Sequence, residues 1–319
     1  MKKIILDLDT GIDDTLALAY VLASPEAELI GITGTYGNVT LEQGVRNDLD
    51  LLAMFGREDV PVFRGIEHAC DAESFAVTED SELFHGKNGL GNVEVPVKSD
   101  RAPEEKSAVD FIIESVHAYG DDLVVVPTGA STTIAAAMRK DPSIIEKIHI
   151  VTMGGSLTQP GNVSPFAEAN MSQDPVASNE MFSSGADITM IGLDVTMQAL
   201  MPMEDTQKLR DTGSAAGKFL ADMTDYYIDI SIKYDESFAG GCFLHDPLAA
   251  AVAIDPTLVT TFPIALKVET EGPERGRTIG DPFKLMTGPK NTKVALAVDS
   301  ERFDKQFFDR LYALATSLK

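Results

Sequence analysis

The sequence predicts an α/β protein: a mostly parallel central sheet flanked by helices, with a helical cap over the carboxyl edge of the strands. Three observations predict it. Short apolar runs alternate with longer amphipathic segments along most of the chain, which is the pattern of repeated strand–helix units. The apolar runs are continuous rather than alternating, as expected of strands covered on both faces. The stretch from Thr196 to Cys242 breaks the alternation and reads as mainly helical, so it is expected above the strand ends.

The elements follow in order. Ile4–Leu8 is a buried strand, and Asp14–Ala23 a helix with Leu16, Leu18, Ala19 and Leu22 apolar. Leu29–Thr33 is the next strand, Leu41–Phe55 a helix and Val60–Phe63 a short strand. Glu67–Asp100 is expected as a long loop carrying His85, Gly86, Gly89 and Gly91, and long ordered loops at a sheet edge are usually functional. Asp121–Pro127, Ile148–Met153 and Asp187–Leu193 read as strands, with helices at Thr132–Met138 and Pro175–Ser183. Late strands at Pro263–Thr270 and Lys293–Val298 precede a closing helix at Arg302–Ser317. No repeat, low-complexity tract or linker divides the chain, so 1–319 is expected to be one domain.

Composition narrows the function. Of 319 residues 44% are hydrophobic, ample for a core, and 50 acidic against 26 basic residues give a net charge of −24. Nucleic-acid binding needs a basic footprint, so such a partner is not expected. No Gly-rich phosphate loop followed by Lys is present. No apolar stretch is long enough for a bilayer, and the first strand is interrupted by Asp7 and Asp9, unlike a secretory leader. Cys70 and Cys242 make neither a disulfide framework nor a metal-ligand spacing. A cytoplasmic protein with no membrane partner is expected.

The run Asp7-Leu8-Asp9-Thr10-Gly11-Ile12-Asp13-Asp14 carries the chemistry. Side chains alternate along a strand, so Asp7 and Asp9 are expected on one side. Gly11 permits a turn, and Asp13 and Asp14 then open a helix, where dipole and free N–H groups favour carboxylates. That bland account suffices for Asp13 and Asp14 alone. It does not suffice for four carboxylates converging at the carboxyl end of a buried strand, the edge where open α/β sheets bind ligands. Like charges so close call for a cation, and oxygen-only donors select a hard one, Ca²⁺ or Mg²⁺, over zinc. The local run Asp7-Leu8-Asp9-Thr10-Gly11 also resembles the haloacid dehalogenase-type phosphatases, in which Asp7 would be a nucleophile assisted by Mg²⁺; the Ile12-Asp13-Asp14 continuation does not fit them.

The chain resembles the inosine–uridine-preferring nucleoside hydrolase family. The likeness starts at the Asp-rich run and continues through Gly37-Asn38-Val39, His85-Gly86, Pro127-Thr128-Gly129 and Met153-Gly154-Gly155. Gly161-Asn162-Val163, Ala167-Glu168-Ala169-Asn170, Asp174-Pro175, Gly192-Leu193-Asp194-Val195-Thr196 and Leu244-His245-Asp246-Pro247 follow in family order. The resemblance implies a Rossmann-like nucleoside hydrolase fold and hydrolysis of a ribonucleoside to base and ribose. It implies Ca²⁺ held by Asp9, Asp14, the Thr128 carbonyl and Asp246, with two ribose hydroxyls and a water completing the shell. Asp9 would be the general base and His245 the leaving-group acid. Asp13, Asn38, Asn162, Glu168 and Asn170 would hold the ribose hydroxyls, and His85, Tyr227 and Tyr234 would line the pocket. Homodimers or homotetramers are implied too. His245 tilts the expected base range toward broad or pyrimidine-accepting members. Beside these stand plain structural roles: turn residues for Asn38 and Asn162, packing for the tyrosines, an exposed loop position for His85. The chain departs from the family at Thr10 (usually Pro), Thr133 (commonly Asn), Ala169 (often Phe) and Met197 (frequently His). The alternatives are the phosphatase and a non-catalytic nucleoside-binding protein on the same fold.

Overall fold

The computed structural model describes residues 1–234, 240–284, 288–290 and 292–318. The first half runs β1 (Lys2–Leu8), α1 (Ile12–Leu22), β2 (Ala27–Gly34), α2 (Leu41–Met54), β3 (Val62–Arg64), α3 (Glu79–His85) and α4 (Ala108–Tyr119). It continues through β4 (Leu123–Pro127), α5 (Thr132–Lys140), β5 (His149–Met153), α6 (Ala169–Gln173), α7 (Pro175–Ser183) and β6 (Asp187–Ile191). Then come α8 (Leu193–Thr196), β7 (Leu200–Met201), α9 (Met203–Asp211), α10 (Ala215–Tyr234), β8 (Cys242–Phe243) and α11 (His245–Ile254). β9 (Val259–Ile264), β10 (Leu266–Val268), β11 (Thr278–Gly280), β12 (Thr292–Val298) and α12 (Ser300–Ser317) close the chain.

The main sheet has eight strands in the order β3-β2-β1-β4-β5-β6-β12-β9. All neighbours are parallel except β9, which pairs antiparallel with β12 at one edge. This is the mostly parallel α/β sheet that the sequence predicts. Alternation along β1 explains why its strand is apolar throughout: Ile4, Leu6 and Leu8 enter one buried cluster and Ile5 the other, on the opposite face. The first cluster gathers α1, α2, α10, α11 and α12; the second gathers α4, α5 and α7. From β1 the chain first winds outward to β2 and β3, then returns to β4 on the other side of β1. The carboxyl ends of β1 and β4 therefore flank the point where winding reverses, which is where such sheets leave a crevice.

Differences from the sequence reading have physical causes. The loop expected at Glu67–Asp100 contains α3, whose Thr78 hydroxyl caps it by accepting from Ser81 N at 3.1 Å. α4 was not anticipated, although Ser107 and Asp110 bear the same cap signature, with Ser107 Oγ accepting from Asp110 N. α11 was also missed. Eight of its ten residues are buried, so it has no polar face to reveal a helical period. The strand expected to reach Leu193 stops at Ile191, and Gly192 turns into α8. Within the expected helical stretch up to Cys242, α9 and α10 are helical, and residues 235–239 lie outside the described residues.

α12 closes the first cluster through aromatic packing: Tyr20 of α1 stacks on Phe307 at 6.0 Å and tilts against Phe303 at 6.3 Å. Phe307→Ala is expected to cost about 3–5 kcal/mol, the usual toll for emptying a buried aromatic site. Denaturant titration of the variant checks this, and a loss under 1 kcal/mol would show that the site collapses around the gap.

Candidate active site

Every site residue expected from the sequence except Asp14 lines one cavity of about 790 Å³ over the carboxyl edge of the sheet. β1 delivers Asp9 one residue beyond its end, and the N-terminus of α1 delivers Asp13 and Asp14. Thr128 follows β4, Glu168 and Asn170 come from the start of α6, and His245 and Asp246 open α11. Tyr227, Ser231 and Tyr234, which share one face of α10, close the cavity from above. That helix is the expected cap. It is fastened to α3 by Tyr226 Oη donating to Leu83 O at 2.9 Å and by the edge-on pair Phe84–Tyr234 at 5.2 Å.

The floor is acidic and buried. Asp9, Asp13, Asp14 and Asp246 are each under a tenth exposed. Carboxylate oxygens of Asp13, Asp14 and Asp246 lie within 4.8 Å of one another. Asp9 sits beside them: after burial, the charge of Asp14 is the largest influence raising its pKa. Burial likewise raises Asp14, Asp246 and Asp13, the last to about 7. Part of the cluster is held by the fold. Asp14 accepts from Gly11 N (2.8 Å), Thr128 Oγ1 (2.6 Å) and Asn38 Nδ2 (3.1 Å), and Asp9 Oδ2 accepts from Asn38 N (2.7 Å). Asp9 Oδ1 and Asp13 Oδ1 are buried with no hydrogen-bond partner among the described residues. Orphaned, inward-facing carboxylate oxygens in an all-oxygen set fit a hard divalent cation. The backbone approaches so closely that a Cβ on Gly37 would stand 2.0 Å from Asp9 Oδ2.

Asp7 does not join them. It is fully buried within the sheet, accepts from Thr33 Oγ1 at 2.5 Å and lies outside the cavity lining. The two residues expected on one side part company: β1 ends at Leu8, so Asp9 lies past the strand and lines the cavity, whereas Asp7 stays inside the sheet. A phosphatase nucleophile at Asp7 would have no access to substrate.

The remaining residues carry fold-supporting bonds as well as facing the cavity. Glu168, which the sequence places on no helix face, caps α6 and is buried, accepting from Gly155 N (2.8 Å), Asn170 N (2.9 Å) and Met171 N (3.1 Å). Asn170 Nδ2 donates to the Thr128 carbonyl at 2.6 Å, occupying one lone pair of a group expected to hold the ion. Asn162 is exposed at the mouth, its Oδ1 accepting from Ala169 N at 3.0 Å. His85 is buried rather than loop-exposed: Nδ1 accepts from Ile12 N at 3.2 Å, the ring tilts against Tyr227 at 5.6 Å, and burial pushes its pKa down to about 3. His245 Nδ1 meets Thr196 Oγ1 at 2.7 Å, and burial lowers its pKa to about 4. The near-neutral titration expected for this histidine does not survive in the fold.

Sequence reasoning missed Phe84 and Phe243 of the apolar wall, although they abut the His85-Gly86 and Leu244-His245 motifs. It named Val163 and Thr196 inside motifs and Met197 as a departure from the family, without placing Val163 and Met197 in that wall or Thr196 beside His245.

The match to known proteins is extensive. The family model described as inosine-uridine preferring nucleoside hydrolase matches residues 4–305. A solved structure titled purine-preferring ribonucleoside hydrolase from Gardnerella vaginalis superposes with a TM-score of 0.97 at 56% identity, over 99% of this chain and 100% of that one. The inosine-uridine preferring nucleoside hydrolase of Leishmania major is 34% identical over 95% of each chain. A probable uridine nucleosidase of Arabidopsis thaliana is 35% identical over 97% of each.

The buried carboxylates make a pH prediction for chelator-treated protein. Folded Asp13 and Asp7 release their protons near pH 7, against an ordinary value of 3.8. Between those values the folded state holds protons that the unfolded chain has lost, so stability falls as pH rises. His85 and His245 act oppositely, but their unfolded value of 6.5 confines that to lower pH. The thermal midpoint is therefore expected to drop from pH 6.5 to pH 8 in chelator; a flat or rising midpoint would contradict the burial of uncompensated charge.

Proposed function

The chain belongs to the inosine-uridine preferring nucleoside hydrolase family and hydrolyses ribonucleosides, and we propose that it does so with Ca²⁺ bound to its acidic floor, Asp9 as general base and His245 as leaving-group acid. The observation that carries this is the pair of unpartnered buried oxygens, Asp9 Oδ1 and Asp13 Oδ1, beside the close carboxylates of Asp13, Asp14 and Asp246. Asp9, Asp14, Asp246 and the Thr128 carbonyl would hold the ion, whose chemistry is to gather the ribose diol and lower the pKa of a water.

The chain's own groups divide the remaining work. Asn38 N anchors one Asp9 oxygen, leaving Oδ1 to take a proton from the attacking water. Asp13 and the amide and carboxylate residues Asn38, Asn162, Glu168 and Asn170 line the cavity, where they would face the ribose hydroxyls. The acidic floor stabilises positive charge that develops on the sugar as the bond to nitrogen breaks. His245 Nδ1 and Thr196 Oγ1 share a hydrogen bond; with the hydroxyl as donor, the neutral ring keeps its proton on Nε2, where it would hydrogen-bond the leaving base. His85, Tyr227 and Tyr234 complete the base side.

We propose a broad base range that includes purines. The solved structure titled purine-preferring is 56% identical, and the apolar wall of a cavity of about 790 Å³ has room for a bicyclic base. One domain over 1–319, a homo-oligomer and a cytoplasmic location complete the proposal. Among the described residues no helix is long and apolar enough to cross a membrane.

Ribose release from inosine, adenosine, uridine and cytidine, with and without chelator, tests the reading. Hydrolysis of purines and uridine that stops on chelation and returns with Ca²⁺ is expected; turnover indifferent to chelation would end the calcium assignment, and turnover of uridine and cytidine alone the purine one. Asp9→Ala should lower kcat at least about 100-fold and, in chelator, leave the thermal midpoint unchanged or higher, since a mutually repelling carboxylate is removed. Near-normal kcat in that variant would remove Asp9 from the base role.

A further inference from the structure

Behind the acidic floor lies a polar contact that the reaction does not use. Asp48, in the middle of α2, is fully buried. Its Oδ1 accepts from Thr10 Oγ1 at 2.6 Å, and its Oδ2 has no hydrogen-bond partner among the described residues. A buried carboxyl with one oxygen unsatisfied is costly, and burial raises its pKa well above the ordinary value. Packing alone gives no reason for it, because an apolar side chain would fill the same place at lower cost. Thr10 stands between Asp9, the proposed base, and Gly11, whose N–H bonds to Asp14. The adjacent residue of α2 grips the same position: Asn47 Nδ2 donates to Thr10 O at 3.4 Å and to Asn88 O at 2.9 Å, and Asn47 Oδ1 is fixed by Gln43 Nε2 at 2.8 Å. One turn of α2 thus holds the hydroxyl and the carbonyl of Thr10 together with the loop that follows His85.

We infer that Asn47 and Asp48 are positioning residues, and that Thr10 is the handle through which α2 sets the Asp9–Asp14 turn in register for the cation and the substrate. A Pro at position 10, the residue usual in the family that the sequence resembles, has no hydroxyl to offer Asp48, so the device belongs to this chain's Thr10–Asp48 pair. It works by constraint. Asp9 and Asp14 repel one another, and without a cation the turn between them is the part of the site with most reason to spread. Two hydrogen bonds to a helix packed in the core oppose that spreading, so the carboxylates meet the cation already placed.

This inference rests on the calcium reading above, and the experiment separates the two. Ca²⁺ affinity is measured by isothermal titration calorimetry on chelator-stripped, full-length protein, for wild type, Thr10→Val, Thr10→Ser and Asp48→Val, with kcat and KM for inosine at saturating Ca²⁺. Valine keeps the shape of Thr10 without the hydroxyl. Loss of a residue that orients a ligand typically costs about 10–100-fold in metal affinity, so Thr10→Val and Asp48→Val are each expected to weaken Ca²⁺ binding about tenfold or more. Thr10→Ser should bind like wild type. Asp48→Val removes a burdened carboxyl, is expected to fold, and isolates the same contact if Thr10→Val does not fold. A thermal midpoint that moves while affinity, kcat and KM stay at wild-type values would show a purely structural contact and overturn the inference. Wild-type protein that takes up no Ca²⁺ would overturn the calcium reading and this inference with it.

Discussion

Four carboxylates buried at one strand end are the constraint around which the rest of this structure is arranged. Like charges in a space that excludes water cost more than a fold of this size can leave uncompensated. The architecture answers at several levels. Strand order reverses at β1 and β4, so the two ends open a crevice instead of being covered by a crossover. Asp13 and Asp14 fall on the first turn of α1, where free N–H groups and the helix dipole favour negative charge. Gly37 brings backbone against Asp9 that no other residue would allow. What remains uncompensated is the opening for a cation.

The hydrogen-bond pattern separates scaffold from working surface. Asp14 accepts three hydrogen bonds, from Gly11, Thr128 and Asn38, and Glu168 accepts three from backbone N–H groups, which fixes both carboxylates and leaves each an acceptor site. Such groups are immobile, as befits residues that set distances. Asp9 is divided: one oxygen is anchored, the other free. A general base needs that division, since a carboxylate bonded at both oxygens has lost the basicity the step requires, and one bonded at neither has no fixed direction.

Legibility in the sequence followed the physics of each signal. The parallel sheet was readable because buried strands are uninterrupted apolar runs, and the acidic floor because Asp9, Asp13 and Asp14 crowd into one turn. α11 was unreadable for the same reason the strands were clear: a helix buried on all sides has no period. The exclusion of Asp7 from the cavity depended on where β1 stops, a matter of one residue, and strand ends are the least determined feature of a sequence pattern. Thr10 was legible as a departure from the family but not as a partner, since Asp48 is distant in sequence and looks like an ordinary surface residue of a helix. The histidine pKa values could not be foreseen, because they come from burial produced by the whole fold.

The cavity is polarised along its depth, and that gradient matches the bond it is proposed to break. The buried carboxylates and amide of Asp9, Asp13, Asp246, Glu168 and Asn170 form the floor, whereas Phe84, Val163, Met197 and Phe243 supply apolar surface farther out, with exposed Asp80, Gln159 and Asn162 at the rim. A ribonucleoside has the same asymmetry: a sugar rich in hydroxyls joined to a flat base with apolar faces. Seated with ribose down, its glycosidic bond would lie where the acidic floor gives way to the apolar wall. Cleavage moves electrons from the sugar toward the base, so positive charge grows on the acidic side and negative charge on the side of His245. The opposite orientation would set developing negative charge over four carboxylates. On the proposed mechanism, electrostatics would set the binding direction before any individual contact with the base is considered, and would leave the apolar wall free to vary with base preference while the floor stays the same.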